Sequence, residues 1–150
     1  MSTDDLPFDR QQSLGYLVNQ LARLFAQRLE RRFAAHSVPL GQFPLLLVLW
    51  EEEGVTQSEI ARRLDFEQPT VANTLKRMKR DGLVEMAPDA SNRRQVLITL
   101  TEKARRLREP LTAEARKVNE EAAAFLSDEN LGAFQHSIKS LIKGFHSSRS

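Results

Sequence analysis

Around Leu83 the spacing of apolar residues changes. Upstream they recur at three- and four-residue steps in two short segments; downstream they alternate or run as β-branched residues. Thr56-Gln57-Ser58-Glu59 is a capping-box pattern, so a helix is predicted from Gln57 to about Leu64, with Ile60, Ala61 and Leu64 inward. Asp65-Phe66-Glu67 is a brief turn. A second helix starts near Gln68 or Pro69, because proline suits the first helical turn. Val71, Leu75 and Met78 form its inner stripe, and Asp81-Gly82 closes it. Leu83, Val84 and Met86 then lead into the turn signal Pro88-Asp89-Ala90-Ser91-Asn92, and Val96 to Leu100 return as a strand. Helix, tight turn, helix and hairpin in under fifty residues form one supersecondary unit, a helix-turn-helix followed by a β-wing with Arg93 and Arg94 near its tip.

Longer helices flank this unit. Leu14 to Phe33 reads as a helix with an apolar stripe, broken at Ser37-Val38-Pro39. A second helix covers about Gly41 to Glu53, with Pro44 in its first turn and Gly54 after it. Thr101 caps a long helix from Glu102 to about Phe125, which Pro110 should bend. Ser127-Asp128 opens the last helix, and the tail from Ser147 is expected to fray. The expected fold class is mainly α, a winged helix-turn-helix with flanking dimerisation helices: about six helices plus a two-stranded wing. The expected division is 1–36 as an N-terminal dimerisation helix, 37–101 as the winged lobe and 102–150 as C-terminal dimerisation helices. The terminal helices carry more apolar surface than one small lobe can cover, which favours a homodimer. Its interface is expected at Leu14, Leu17, Leu21, Leu111, Val118, Phe125, Phe134, Ile138, Leu141 and Phe145.

Composition removes other classes. The chain has no cysteine, so disulfides, thiolate metal sites and thiol switches are excluded. His36, His136 and His146 are far apart and none has a ligand-like neighbour at i+4, so no metal or cofactor is expected. No Ser-His-Asp set or glycine-rich phosphate loop is visible, and Glu51-Glu52-Glu53 reads as a solvated helix end; an enzyme is not expected. The longest apolar run, Pro44 to Trp50, is too short for a membrane span, and the acidic Met1-to-Asp9 segment lacks the apolar core of a secretory signal. No membrane partner and a cytoplasmic location are therefore expected.

Net charge is only +2, but it is unevenly placed. Arg62 to Arg108 holds twelve Lys or Arg against six Asp or Glu, whereas Glu109 to Leu131 holds two against six. A basic middle beside an acidic flank suits contact between one part of the chain and a polyanion. In a helix-turn-helix the second helix enters the major groove of DNA, its N-terminal residues at base edges. Gln68, Thr70, Asn73, Thr74 and Arg77 fall on that helix's polar face; an amide can pair with adenine and Arg77 with guanine or phosphate. Lys76, Lys79 and Arg80 extend the basic surface, and wing arginines suit a narrow minor groove. Pro69, Thr56 and Gln57 complete the expected contact set with double-stranded DNA. The alternative is a helical interaction module with the same fold that binds no DNA; a steep salt dependence of duplex binding separates the two.

Three stretches carry a resemblance: Glu67-Gln68-Pro69-Thr70-Val71-Ala72-Asn73-Thr74-Leu75, Arg80-Asp81-Gly82-Leu83-Val84, and Asp89-Ala90-Ser91-Asn92-Arg93-Arg94 leading into Leu97-Ile98-Thr99-Leu100-Thr101-Glu102-Lys103. They resemble the MarR family of transcriptional regulators, its SlyA-type members above all. The resemblance implies a homodimeric regulator, acting as a repressor, that reads pseudo-palindromic operators through Pro69, Thr70, Asn73, Arg77 and Arg94. Two positions depart from the pattern: SlyA-type members usually carry arginine where Asn73 stands, and the family usually has aspartate where Asn92 stands. The resemblance also implies a small aromatic or anionic effector, in a crevice with Tyr16, Phe43, Leu47 and Trp50 as walls and Arg23 or Arg62 as anion partners.

Overall fold

The structure, a computed structural model, describes residues 6–149; the first five residues of the expected N-terminal segment, and residue 150, lie outside the described residues. Among the described residues the order is α1 (Leu14–Phe33), α2 (Phe43–Glu51), α3 (Gln57–Leu64), α4 (Gln68–Arg80), β1 (Val84–Pro88), β2 (Val96–Leu100), α5 (Glu102–Arg106), α6 (Arg108–Ala123) and α7 (Asp128–Ser147), with short 3-10 turns at Arg10–Gln12, Ala34–His36 and Leu40–Gln42. This is the mainly helical, winged helix-turn-helix architecture that the change of period predicts.

Hydroxyl caps start four of the helices. The side chains of Ser13, Thr56, Thr101 and Ser127 accept from the backbone N–H groups of Tyr16, Glu59, Ala104 and Asn130. Each satisfies a donor the helix itself cannot, worth about 1 kcal/mol. Between α3 and α4 the chain reverses at Asp65, whose φ of 56° is left-handed. Aspartate tolerates that region better than most side chains. Gly82 turns α4 into β1 with φ 74°, where an L side chain would be strained.

β1 and β2 pair antiparallel, Val84 opposite Leu100 and Pro88 opposite Val96. A short bridge, Val55 to Ile98, adds a third line of backbone: Gly54 N–H donates to the Ile98 carbonyl and Ile98 N–H to that of Val55, both at 2.8 Å.

Two compact units are present, residues 1–114 and 115–150. In the first, Leu45, Leu46 and Leu49 of α2, Ile60 of α3, Val71, Leu75 and Met78 of α4, and Leu83 and Ile98 of the wing are all buried. Phe43 joins them, its ring edge-on to Phe33 at 4.7 Å and to Trp50 at 6.1 Å. In the second unit α7 contains no buried residue. Its apolar face stands open, with Phe134, Ile138, Leu141 and Ile142 exposed and Phe145 at 72%. α1 likewise exposes Leu14, Leu17, Val18, Leu21 and Leu24.

Three expectations need correction. The long helix over 102–125 is broken at Leu107 rather than bent at Pro110. Proline cannot donate to the carbonyl four residues back, that of Arg106, so α6 begins afresh with Pro110 in its first turn. The helix placed over 41–53 is an α-helix only to Glu51, since Glu52 is extended (φ −153°, ψ 114°). The expected fraying from Ser147 is also displaced, because α7 runs through Ser147 and the Ser148 N–H caps it on the Gly144 carbonyl.

Candidate nucleic-acid interface

α4 carries its apolar stripe inward, so its remaining side chains face solvent. Gln68, Pro69, Thr70, Asn73, Lys76 and Arg77 are exposed and Thr74 is half-buried. The Thr74 hydroxyl donates to the Thr70 carbonyl at 2.8 Å, which leaves its oxygen as an acceptor. Lys76, Arg77 and Lys79 form no ion pair among the described residues, whereas Arg80 pairs with Asp81 at 3.1 Å. Three cations on one short helix with no carboxylate to offset them make a positive ridge.

The N-terminal end of this ridge is joined to α3. Gln57 Nε2 donates to Gln68 Oε1 at 3.1 Å and, more weakly, to the Gln68 carbonyl at 3.4 Å. Thr56 is half-buried and its hydroxyl oxygen serves as the α3 cap at 3.2 Å. Its place in the expected contact set is therefore first that of a helix cap. Glu59 does not complete the capping box. Its carboxylate instead accepts from Arg62 (2.6 and 3.0 Å) and Arg63 (2.9 Å). Those two guanidinium groups hold its carboxyl at about 2, well below 4.5.

The wing tip is a tightly bonded loop. Asp89 N–H donates to the Gln95 carbonyl at 2.9 Å, and Asp89 Oδ1 accepts from both the N–H and the hydroxyl of Ser91. Those bonds keep the Asp89 carboxyl below its ordinary range. Asn92 Oδ1 accepts from the backbone N–H of Arg94 at 3.2 Å. Asparagine thus fixes the backbone beneath the wing arginine. Arg93 and Arg94 themselves are exposed and have no ion pair among the described residues.

Two anchors behind these surfaces were not legible as such. Gln42 is 3% exposed and its Nε2 donates to Asp81 Oδ2 at 3.0 Å, while Lys103 Nζ donates to the Asp81 carbonyl at 3.0 Å. Together they hold the C-terminal end of α4. The signal available in sequence was a lone polar residue between apolar Leu40 and Phe43. The second anchor lies in the glutamate run, whose three residues are exposed as expected but two of which hold partners. Glu52 pairs with Arg63, and Glu53 accepts from Leu100 N–H (2.8 Å) and from Arg105 (2.9 and 3.1 Å). Because Glu52 leaves the helix extended, Glu53 reaches β2 and stands in for a backbone acceptor. Arg105 and that N–H hold the Glu53 carboxyl below its ordinary value. Glu53→Ala should cost about 1–3 kcal/mol in urea unfolding, the penalty of an unmet donor on buried Leu100. Glu53→Gln keeps an acceptor oxygen and should retain most of that stability; equal losses in the two variants would contradict the anchor.

Of the expected effector residues, Phe43, Leu47 and Trp50 share α2, and the Phe43 and Trp50 rings meet edge-on at 6.1 Å. Phe43 is buried, and half-buried Trp50 donates from Nε1 to the Ala104 carbonyl at 2.9 Å. Arg62 is exposed and its guanidinium donates twice to Glu59. Tyr16 is half-buried with its hydroxyl accepting from Arg10 at 3.1 Å; Arg23 and Leu47 are exposed. Of the expected interface, Leu14, Leu17, Leu21, Phe125, Phe134, Ile138, Leu141 and Phe145 are exposed. Leu111 and Val118 are already buried in the single chain, so neither belongs to an open face. The described residues hold no cluster of three or more His, Asp or Glu able to bind a metal, and no single helix among them is long and apolar enough to cross a membrane.

Comparison with known proteins agrees with this geometry. A family model described as MarR family matches residues 36–95. The HTH-type transcriptional regulator TtmR of Methylorubrum extorquens (strain PA1) is 38% identical over 104 residues, 69% of this chain; the chain spans about half of that relative's length, 53%. The uncharacterized HTH-type transcriptional regulator YwoH of Bacillus subtilis (strain 168) is 32% identical over 119 residues, covering 79% of this chain and 86% of its own. The fold matches that of Bordetella bronchiseptica BpsR, a protein whose DNA binding is regulated by 6-hydroxynicotinic acid, with a TM-score of 0.84 at 19% identity over 97% of this chain and 100% of the other.

Proposed function

The chain belongs to the MarR family of transcriptional regulators, and from that membership we propose that it acts in the cytoplasm as a homodimeric, non-enzymatic repressor binding a pseudo-palindromic operator. The observation that carries the reading is the set of cations without an ion pair among the described residues, Lys76, Arg77 and Lys79 on α4 with Arg93 and Arg94 on the wing. α4 enters the major groove, Asn73 and Arg77 meeting base edges, and the wing lays Arg94 along the adjacent minor groove. Lys76 and Lys79 neutralise phosphates without reading sequence. The open apolar faces of α1 and α7 are covered by a second copy, which sets two α4 helices about 34–36 Å apart, one turn of DNA. Leu14, Leu17, Leu21, Phe134, Ile138 and Leu141 make that contact.

The test is a pair of substitutions read by fluorescence anisotropy on the operator. Arg77→Ala should weaken binding by about 1–3 kcal/mol, the worth of a bidentate base contact, and relax preference at one base pair. Arg94→Ala should weaken binding on every sequence and lower the slope of log K against log salt by about 1. Unchanged affinity after both would overturn the reading.

A small aromatic anion regulates the protein by preferring one spacing of the two lobes over another. The effect of 6-hydroxynicotinic acid on BpsR supports that class, and the exposed Arg23 is the remaining cation of the expected set. Titrating aromatic carboxylates into the operator complex should release DNA at up to millimolar levels; no release across such a panel would remove the regulatory half of the proposal.

A further inference from the structure

The contact between Gln57 and Gln68 fixes which way a base-reading amide faces. An amide can present either its oxygen or its nitrogen to a neighbour, and turning it over exchanges donor and acceptor. Here the choice is determined by the surroundings. Gln57 Nε2 lies 3.1 Å from the Gln68 side-chain atom and 3.4 Å from the Gln68 backbone carbonyl. A carbonyl only accepts, so the group facing it is the Gln57 NH2. The Gln68 side chain must then offer its oxygen to the same NH2. Gln68 stands first in α4 and is exposed, while Gln57 stands first in α3 and is half-buried.

That arrangement occupies one lone pair of Gln68 Oε1. The second lone pair, and the two N–H groups of Nε2, remain available. An oxygen acceptor beside an N–H donor on one amide edge matches adenine, whose N6 amino group donates and whose N7 accepts in the major groove. Guanine offers two acceptors along the same edge, so the oxygen would meet O6 with no proton between them. We propose that Gln57 and Gln68 act as a two-amide reader: Gln68 pairs bidentately with one adenine of each half-site, and Gln57 is the positioning residue that holds its amide in the adenine-matching sense. This rests on the DNA-binding reading above and adds a base identity to it.

The experiment measures binding of the full-length protein to its selected operator and to duplexes carrying each of the three other base pairs at every half-site position. Wild type should favour adenine at one base pair by roughly 5- to 150-fold. Gln68→Ala should flatten that preference, and Gln57→Ala should lower it at the same base pair and nowhere else. Each variant's preference is read relative to its own binding of random duplex. Gln57→Glu offers only acceptors, so it should turn the Gln68 amide over and reduce the adenine preference below that of Gln57→Ala. Measuring preference as a ratio between duplexes removes the uniform repulsion of the new charge. Loss at different base pairs in the two alanine variants, a uniform loss on all sequences, or a preferred base other than adenine would overturn the inference. If wild type prefers no duplex over another, the operator reading itself falls, a result distinct from all of these.

Discussion

Ile138→Asp is expected to leave each chain folded, to shift the protein from dimer to monomer in analytical ultracentrifugation, and to abolish operator binding. Ile138 lies in the middle of the open face of α7, with Phe134, Leu141, Ile142 and Phe145 around it. No residue of α7 is buried in the single chain and Ile138 is 39% exposed, so a charge there can keep its contact with water in the monomer. In an assembled pair the same carboxylate would be buried unpaired against apolar side chains, which costs several kcal/mol. A monomer holds one half-site. Specific binding at about 10⁻⁸–10⁻¹¹ M would then fall toward the non-specific range of about 10⁻⁴–10⁻⁶ M, a loss on the order of a thousandfold or more. Ser140→Asp is the control, placing the same charge about 200° around the helix. A dimeric Ile138→Asp, or a control that dissociates equally, would contradict the proposed interface.

The second large effect lies on the hidden side of the reading helix. Leu75 is 2% exposed between Val71 and Met78, half a helix away from the DNA-facing positions. Leu75→Ala should lose about 2–5 kcal/mol in urea unfolding at fixed protein concentration, through lost burial and a residual cavity. Against a total of about 5–15 kcal/mol that is a large share. The midpoint should fall with little change in slope. Arg77→Ala, on the opposite face, should move the midpoint by about 0.5 kcal/mol or less. The two variants therefore separate the functions of one helix: one lowers stability, the other lowers affinity at full stability. The reverse pattern would mean that α4 presents the wrong face.

Where one residue type has one dominant local use, the chain is legible in advance. Thr56, Thr101 and Ser127 precede helices and cap them; Gly82 turns where φ is positive; Val71, Leu75 and Met78 point inward at helical spacing. Arg77, Arg93 and Arg94 are exposed and form no ion pair among the described residues. What stayed hidden depends on distant partners. Glu53 looks like any solvated carboxylate until Leu100 and Arg105, 47 and 52 residues away, converge on it. Gln42 takes its meaning from Asp81, and Arg62 loses its apparent freedom to Glu59. Phe43 takes its place from burial, and half-buried Trp50 from a ring contact with Phe43 and a hydrogen bond to the Ala104 carbonyl, neither of which its spacing in sequence specifies. Leu111 and Val118 match the dimer pattern by period, but burial within one chain already accounts for their apolar character.

Selection of bound sequences from random duplex DNA tests the central claim most directly. It should return two inverted half-sites with centres about 10–10.5 base pairs apart, the spacing that two α4 helices on one face of a duplex require. No enriched sequence, or half-sites repeated in the same direction, would contradict a two-fold dimer that reads DNA through α4 and its wing.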